Sequence, residues 1–442
     1  MGNSDMRTEL SRGALGNVAV KIISLLLGFF LMVLLARTLG PEGYGVYAFF
    51  FALVSLLAIP AQIGMPNLVV RETAKLEATE QWGLMLGLWR WSTSTILLLS
   101  LGILLISSGL AWLLLDQLSL LQLKTFGFSL LLVPFIALSR LRTAAIQGLR
   151  KVVLSQLPDL IIRPALLILL ILIVKFLFPA ETLTSASAMG LYVIAAFVVL
   201  LISIGLLRRV KPNQVKSKPD ALYEKKYWFS AVLPLAFISG MALITQNTDI
   251  LMMGLFSTLE DTGIYRAVIS VSALTSFGLY AVTMVVMPYF ARFHAQGNKG
   301  LMQKVVTQSA RVILFLAIIM VIIIVILGEE MLGIFFGDEY QSGYLPLVIL
   351  AVGQLVNASM GSVAGLLNMT GHEKETAKGV AIAAGVNVLL NLILIPYFGM
   401  SGAAMATAVS LMVSNLLLWR AVHRHLDIES MAFRIFTVQE KK

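Results

Sequence analysis

The sequence predicts an all-α integral membrane protein, with twelve transmembrane helices in two pseudo-symmetric six-helix bundles around a central cavity. Three observations carry this. Of 442 residues, 58% are hydrophobic and 13% charged, with a mean hydropathy of +0.90; ordinary soluble domains sit near 45–50% apolar and about 25% charged. The apolar residues come in runs of about 20 or more, the length that carries a helix across roughly 30 Å of hydrocarbon. The period-2 alternation of a membrane barrel is absent, and lipid admits no irregular or open-edged backbone, so the runs read as helices.

With Gly, Pro and charge clusters as punctuation, the spans fall at 15–36, 44–65, 92–115, 118–139, 157–178, 186–207, 228–254, 264–288, 308–336, 345–368, 380–396 and 402–419. The first follows a polar amino terminus and stops at Arg37-Thr38; no A-x-A pattern follows it, so no removable signal peptide is expected. The second stops at Met65-Pro66, the third and fourth part at Asp116, and the fourth ends before Arg140. The fifth opens beside Pro158 and the sixth closes at Arg208-Arg209. In the second half, Lys225-Lys226 precedes the seventh, Pro288 closes the eighth, Met369-Thr370-Gly371 follows the tenth, and Pro396 and Trp419 end the last two. Pro60, Pro66, Pro134, Pro164, Pro234, Pro288 and Pro346, within or at the ends of spans, are points where helices can kink.

The net charge of +10 is a matter of topology. One set of alternate loops, with both termini, holds 26 Lys and Arg; the opposite set holds only Arg37, Lys124 and Lys175, and Lys21, Arg163, Arg266 and Arg311 lie inside spans. Basic loops stay cytoplasmic, so both termini are expected there, and no nucleic-acid partner is expected. There are no cysteines, and His294, His372, His423 and His425 fall in loops or the tail. No metal centre and no cysteine nucleophile are expected.

The domain reading is 1–210 as the first bundle, 211–227 as a basic cytoplasmic linker and 228–442 as the second bundle with a short tail. Glu42-Gly43-Tyr44-Gly45-Val46-Tyr47 is echoed 218 residues later by Glu260-Asp261-Thr262-Gly263-Ile264-Tyr265. Six helices per half makes the repeat parallel, with a pseudo-two-fold axis along the membrane normal.

An ionisable group inside a span is costly and is a functional candidate by default. Asn17, Lys21, Ser24 and Gly28 share one helix face by their spacing. The repeat offset maps Lys21, Ser24 and Gly28 onto Ser239, Ala242 and Gln246, and Asp249 extends that face. These faces are read as cavity lining; the alternative is small and polar residues that glue helices together. Lys21, about 9 Å from the inner helix end, could instead snorkel to the interface. Arg163 either serves a ligand or pairs with Asp159 one turn away. Arg266 is placed to pair with Asp249 or Glu260, and Arg311 is read as interfacial. Asp249 is either a hydrogen-bonded structural carboxylate or a coupling-ion and gating site. Basic groups in the spans outnumber Asp159 and Asp249, which favours an anionic, phosphate-bearing substrate. No G-x-x-x-x-G-K-[ST] loop supports an ATP pump, and no D-x-D pair supports metal-dependent sugar transfer.

The run from Ala36 to Tyr47, the span end Gly64-Met65-Pro66-Asn67 and Arg71-Glu72 together resemble the amino-terminal signature of the polysaccharide flippases, the Wzx-type exporters of O-antigen and exopolysaccharide repeat units. That family lies within the multidrug/oligosaccharidyl-lipid/polysaccharide (MOP) superfamily. Thr248-Asp249-Ile250-Leu251 with Gly263-Ile264-Tyr265, Gln147-Gly148-Leu149-Arg150-Lys151 and Leu366-Leu367-Asn368-Met369-Thr370-Gly371 are similar to it as well.

The resemblance implies a MATE-like fold whose V-shaped cavity has cationic walls, and a non-enzymatic flippase of the bacterial inner membrane. Its cargo would be an undecaprenyl-diphosphate-linked oligosaccharide, moved to the outer leaflet by alternating access for polysaccharide biosynthesis. On this reading Lys21 and Arg163 attract the diphosphate and Arg266 assists outside. Asn17, Ser24, Gln246, Thr245 and Asn247 meet sugar hydroxyls, and Asp249 couples or gates. No cofactor is expected beyond possible H+ or Na+ coupling; membrane lipids, a polysaccharide polymerase and glycosyltransferases are the further partners. The competing readings are a multidrug and toxin cation antiporter of the same superfamily, an integral polysaccharide synthase or ligase, and a non-catalytic scaffold.

Overall fold

In the computed structural model, the described residues, 3–62, 64–113, 115–178, 183–217 and 220–432, form helices joined by turns and short connections, with no strand among them. Nine of those helices are long and apolar enough to cross a membrane. The chain is a multi-pass membrane protein. Its first helix, Asn3–Gln62 (α1), holds the first two expected spans, and its last, Glu373–Leu426 (α12), holds the final two. Each turns sharply at one glycine, Gly40 at φ 68° and Gly399 at φ 52°. That left-handed region costs an L-residue roughly 1–2 kcal/mol and glycine almost nothing, so two spans join there without a loop. The seventh expected span is the helix Lys225–Phe256 (α7), so every one of the twelve has its helix. The tenth is broken at Gly361, φ 71°, into Tyr344–Ser359 (α10) and Val363–Met369 (α11).

The chain divides into two compact units, Met1–Asn247 and Thr248–Lys442. In the first, α1 is followed by Met65–Ala78 (α2), Trp82–Leu113 (α3), Leu120–Gly148 (α4), Val152–Leu177 (α5) and Ser185–Val210 (α6). Ser119 and Gln122 close a reciprocal capping box on α4, and Thr184 and Ser187 do the same for α6; each box satisfies two otherwise orphaned donors. α4 is the central helix, packed on α1, α2, α3 and α6. Two expected loops are helical instead. Residues 66–91 contain α2, and the fourth span continues past Ser139 to Gly148, because Leu141, Ala144, Ala145 and Ile146 pack with Leu68, Val69 and Trp89 in one buried cluster. Charge at Arg140 and Arg142 made that stretch read as a loop. The stretch that leads into α7 is tied to this unit: Val215 is buried, the Leu222 amide donates to the Gly83 carbonyl at 3.1 Å, and Trp228 in the first turn of α7, 1% exposed, packs its ring at a tilt with its centre 5.5 Å from that of Trp91.

The second unit continues from α7 into Leu259–Ala295 (α8) and Lys299–Phe336 (α9), then α10 to α12. Thr258 caps α8 by accepting from the Asp261 amide at 3.0 Å. Thr258 lies 218 residues after Gly40, so the sequence echo coincides with an equivalent break, and Tyr47 and Tyr265 are both buried beyond it. A buried cluster of Phe290, Met302, Val306, Leu366, Leu418 and Val422 holds α8, α9, α11 and α12 together. Among the described residues, several connections on the face opposite the basic loops are short: the joints at Gly40 and Gly399, the break at Ser257-Thr258, and the 3-10 segments Leu115–Gln117 and Asp338–Gly343.

Candidate functional site

Each unit has a buried polar centre. In the first, α5 contains a π-helical turn, Pro158–Ile162, after its first six residues and just ahead of Pro164. An extra residue per turn re-aims the side chains around it, and such bulges are frequent at functional sites. Here the turn presents Asp159 and Arg163 to α4. Arg163, 8% exposed, is hydrogen-bonded to Asp159. Asp159 also accepts from Ser139 Oγ at 3.3 Å, which itself lies 3.3 Å from Ser203 Oγ. Arg140 of α4 donates to Gln62 Oε1 of α1 at 3.1 Å.

Arg140, Arg163, Gln62 and Tyr192 line a cavity of about 60 Å³. Arg140 and Gln62 also form a wall of a larger one, about 370 Å³, reached by Asn67, Thr143 and Gln147. Arg163 is thus paired with Asp159 and Arg140 with Gln62 beside these cavities, and Arg163 Nε is buried without a hydrogen-bond acceptor. An arginine with spare donors in a low-dielectric site is suited to phosphate oxygens.

The second unit's centre has the opposite character. Asp249, 8% exposed, accepts from Asn391 Nδ2 at 2.7 Å, from the Thr407 hydroxyl, and from the Tyr265 hydroxyl at 3.4 Å. Asn391 also donates to Asn387 Oδ1 at 3.1 Å, and Asn387 to Thr407 Oγ1 at 3.3 Å. Every partner is neutral. A second neutral chain runs from Ser276 to Gln354 (2.8 Å), Asn357 (3.1 Å) and Asn415 (3.0 Å) across α8, α10 and α12.

Of the residues singled out from sequence, Arg163 and Asp159 are brought together, and Asp249 is buried as a network centre. Lys21 is exposed on α1, with Asn17 and Ser24 half-buried on the same helix. Asn17 Oδ1 is buried without a partner, and a side chain at Gly28 would meet open space. No hydrogen bond or ion pair links Lys21 to the Arg163 cluster among the described residues. Gln246 is exposed, and the side chains of Ser239, Ala242 and Thr245 lie outside the described residues. Arg266 is half-buried, and the donors to Asp249 are instead Tyr265 of α8 and Asn391 and Thr407 of α12. Arg311 Nε donates to the Ala432 carbonyl at 3.4 Å. Sequence reasoning passed over Arg140, placed in a loop, and the amides of α12. Asn387 and Asn391, one turn apart in an apolar run, were the available signal for the latter.

Comparison with known proteins agrees with this architecture. Residues 10–294 match the family described as polysaccharide biosynthesis protein, and residues 164–440 match the family described as lipid II flippase MurJ. The probable low-salt glycan biosynthesis flippase Agl15 of Haloferax volcanii is 25% identical over 420 residues, covering 92% of this chain and 82% of the relative. The capsular polysaccharide biosynthesis protein CapF of Staphylococcus aureus is 25% identical over 42% of this chain and 47% of its own length. Among solved structures, an inward-facing multidrug resistance MATE family transporter of the MOP superfamily superposes with a TM-score of 0.76 at 12% identity, covering 94% of this chain and 98% of the other. The lipid II flippase MurJ, in an inward closed conformation, gives 0.72 at 16% identity over 92% and 87%. Each family match spans more than half the chain: it belongs to the polysaccharide biosynthesis protein family, and to the overlapping lipid II flippase MurJ family.

Proposed function

We propose that this protein is a flippase that carries a polyprenyl-diphosphate-linked oligosaccharide from the cytoplasmic to the outer leaflet of a bacterial inner membrane, by alternating access and without bond chemistry. The observation that carries the reading is the cationic surplus in the first unit: the half-buried Arg140 and the buried Arg163 against Asp159, with Arg140 lining a cavity of about 370 Å³. A diphosphate is the substrate group that such a surplus accommodates. Hydrogen bonds to a charged group contribute about 1.5–3 kcal/mol each, which offsets the cost of drawing a phosphate out of water. Agl15, matched over most of its length, is itself described as a probable glycan biosynthesis flippase.

In this mechanism the exposed Lys21 meets the diphosphate at the membrane surface, and Arg163 and Arg140 receive it inside. Asn17, Ser24 and Gln246 offer hydrogen bonds to sugar hydroxyls, and Arg266 assists release. Asp249, held only by neutral donors, is the place for a coupling proton or Na+. The bias of basic residues to one set of loops supports cytoplasmic termini. Neighbouring glycosyltransferases and a polymerase would supply and consume the cargo.

The test is a deletion strain in which the leaflet holding the lipid-linked glycan is read by a protection assay. The expected result is a complete unit trapped on the cytoplasmic side, released by the wild-type gene, and not released by Arg163→Gln or Arg140→Gln proteins that reach the membrane. A wild-type lipid profile in the deletion strain sinks the proposal. The competing cation-antiporter reading is favoured by the buried Asp249 and by the MATE-like fold; it requires Asp249→Asn to abolish drug resistance while leaving polysaccharide assembly untouched.

A further inference from the structure

A second basic cavity lies in the first unit, apart from the Arg163 centre. It has a volume of about 530 Å³ and is lined by Arg90 of α3, Arg142 of α4, Arg208 of α6 and Lys211, with Trp89 and Tyr223 among the remaining residues. No carboxylate is among its lining residues, and none of the three arginines takes part in an ion pair among the described residues. Arg142 is half-buried, and its Nε is buried without an acceptor. The three arginines, gathered without a carboxylate beside them, repel one another, and an anion relieves that repulsion.

The position of the cavity says which anion. Arg90 begins the third span, while Arg142 and Arg208 end the fourth and sixth, so all three lie at the membrane face that carries the basic loops. From each arginine a stripe runs into the span at spacings of three and four residues, which keeps it on one helix face. On α3 it is Ser94, Leu97, Leu101 and Leu105; on α6 it is Ile204, Leu201, Phe197 and Ile194. The leucines of the first stripe, and Leu201, Phe197 and Ile194 of the second, are exposed. On α4, which packs against both helices, the stripe is Leu138, Phe135, Leu131 and Phe128, the last two exposed. Fourteen residues from Arg208 to Ile194 span about 21 Å at 1.5 Å each, enough for an acyl chain that fills roughly half of a 30 Å core. Tyr223, exposed and covered by Lys225 Nζ at 5.3 Å from its ring centre, supplies an aromatic at headgroup depth.

We infer that this cavity holds the phosphate headgroup of an anionic phospholipid from the adjacent leaflet, with its chains along the apolar stripes of α3, α4 and α6. Guanidinium groups bind phosphate through paired donors, and basic pockets between transmembrane helices at the cytoplasmic side are where such lipids are retained. The site is separate from the one proposed to receive the transported diphosphate, and a transport failure leaves it standing.

The experiment uses the full-length protein in phosphatidylcholine nanodiscs, with spin-labelled phosphatidylglycerol and cardiolipin measuring selectivity for bound over bulk lipid. The wild type should favour both anionic lipids over phosphatidylcholine. Arg142→Gln with Arg208→Gln should lower that selectivity more than about ten-fold, at roughly 1 kcal/mol per basic residue. The exposed pair Arg292→Gln and Lys304→Gln, which removes the same net charge elsewhere, should leave it intact. An equal loss in the control pair, or no loss in the first, overturns the assignment. So does displacement of the labelled lipid by millimolar inorganic pyrophosphate, which would mean a free phosphate site, or by a short-chain prenyl diphosphate in preference to cardiolipin, which would mean a substrate site. Should the double variant fail to fold, photo-crosslinking of wild-type protein with a photoactivatable phosphatidylglycerol decides: adducts on the α3 and α6 segments are expected, and their absence there overturns the proposal.

Discussion

Asp159 is the residue on which the first polar centre balances. Arg163 is buried against it, and removing one partner of a buried pair leaves a charge that the interior cannot solvate, at about 3–5 kcal/mol. Asp159→Asn should therefore lower the melting temperature in detergent markedly, whereas Asp159→Asn combined with Arg163→Met should recover most of the stability yet remain inactive in the leaflet assay. Recovery of both would make Arg163 purely structural. Asp249→Asn predicts the reverse pattern. The amide fits the same pocket of neutral partners, so the melting temperature should move by only a few degrees, while transport in vesicles should lose its dependence on a proton or Na+ gradient. A gradient response that survives would remove Asp249 from coupling. The Arg163 pair and the isolation of Asp249 were readable from helical spacing. Arg140 was not, because charge alone was taken to end the fourth span, and the apolar residues interleaved with it were given too little weight.

At the scale of elements, the joints are the informative features. Gly40→Ala and Gly399→Ala should each destabilise by roughly 1–2 kcal/mol, the cost of a left-handed conformation with a side chain. Gly402→Ala should cost more than a helical substitution ordinarily does, since a side chain there would meet the Leu394 carbonyl. Gly102→Ala, inside α3 with open space around it, should be neutral or slightly stabilising; thermal melts of the four proteins give the ranking. Twelve spans were legible because hydrophobic length is a strong signal. The π turn at Pro158–Ile162, the helix α2 and the break at Gly361 were not, because each depends on which neighbour the segment packs against, and no single stretch of sequence contains its neighbour.

For the whole molecule, the seventh helix joins the two units. Its start is held in the first unit by Trp228 and by the Leu222 amide on Gly83, which a sequence-based boundary at a basic, proline-bearing stretch does not reveal. A fragment ending at residue 210 should thus be degraded or protease-sensitive in membranes, and one ending at 247 should be resistant. Equal resistance would mean that Trp228 adds nothing to that core. The repeat was visible as six residues of likeness, and its meaning emerged only when Gly40 and Thr258 proved to be equivalent breaks. Those breaks have one more consequence. At Gly40, Ser257-Thr258 and Gly399 one helix passes into the next with no intervening loop. A reporter tag set at any of these three joints therefore needs added residues on both sides to clear the helix ends.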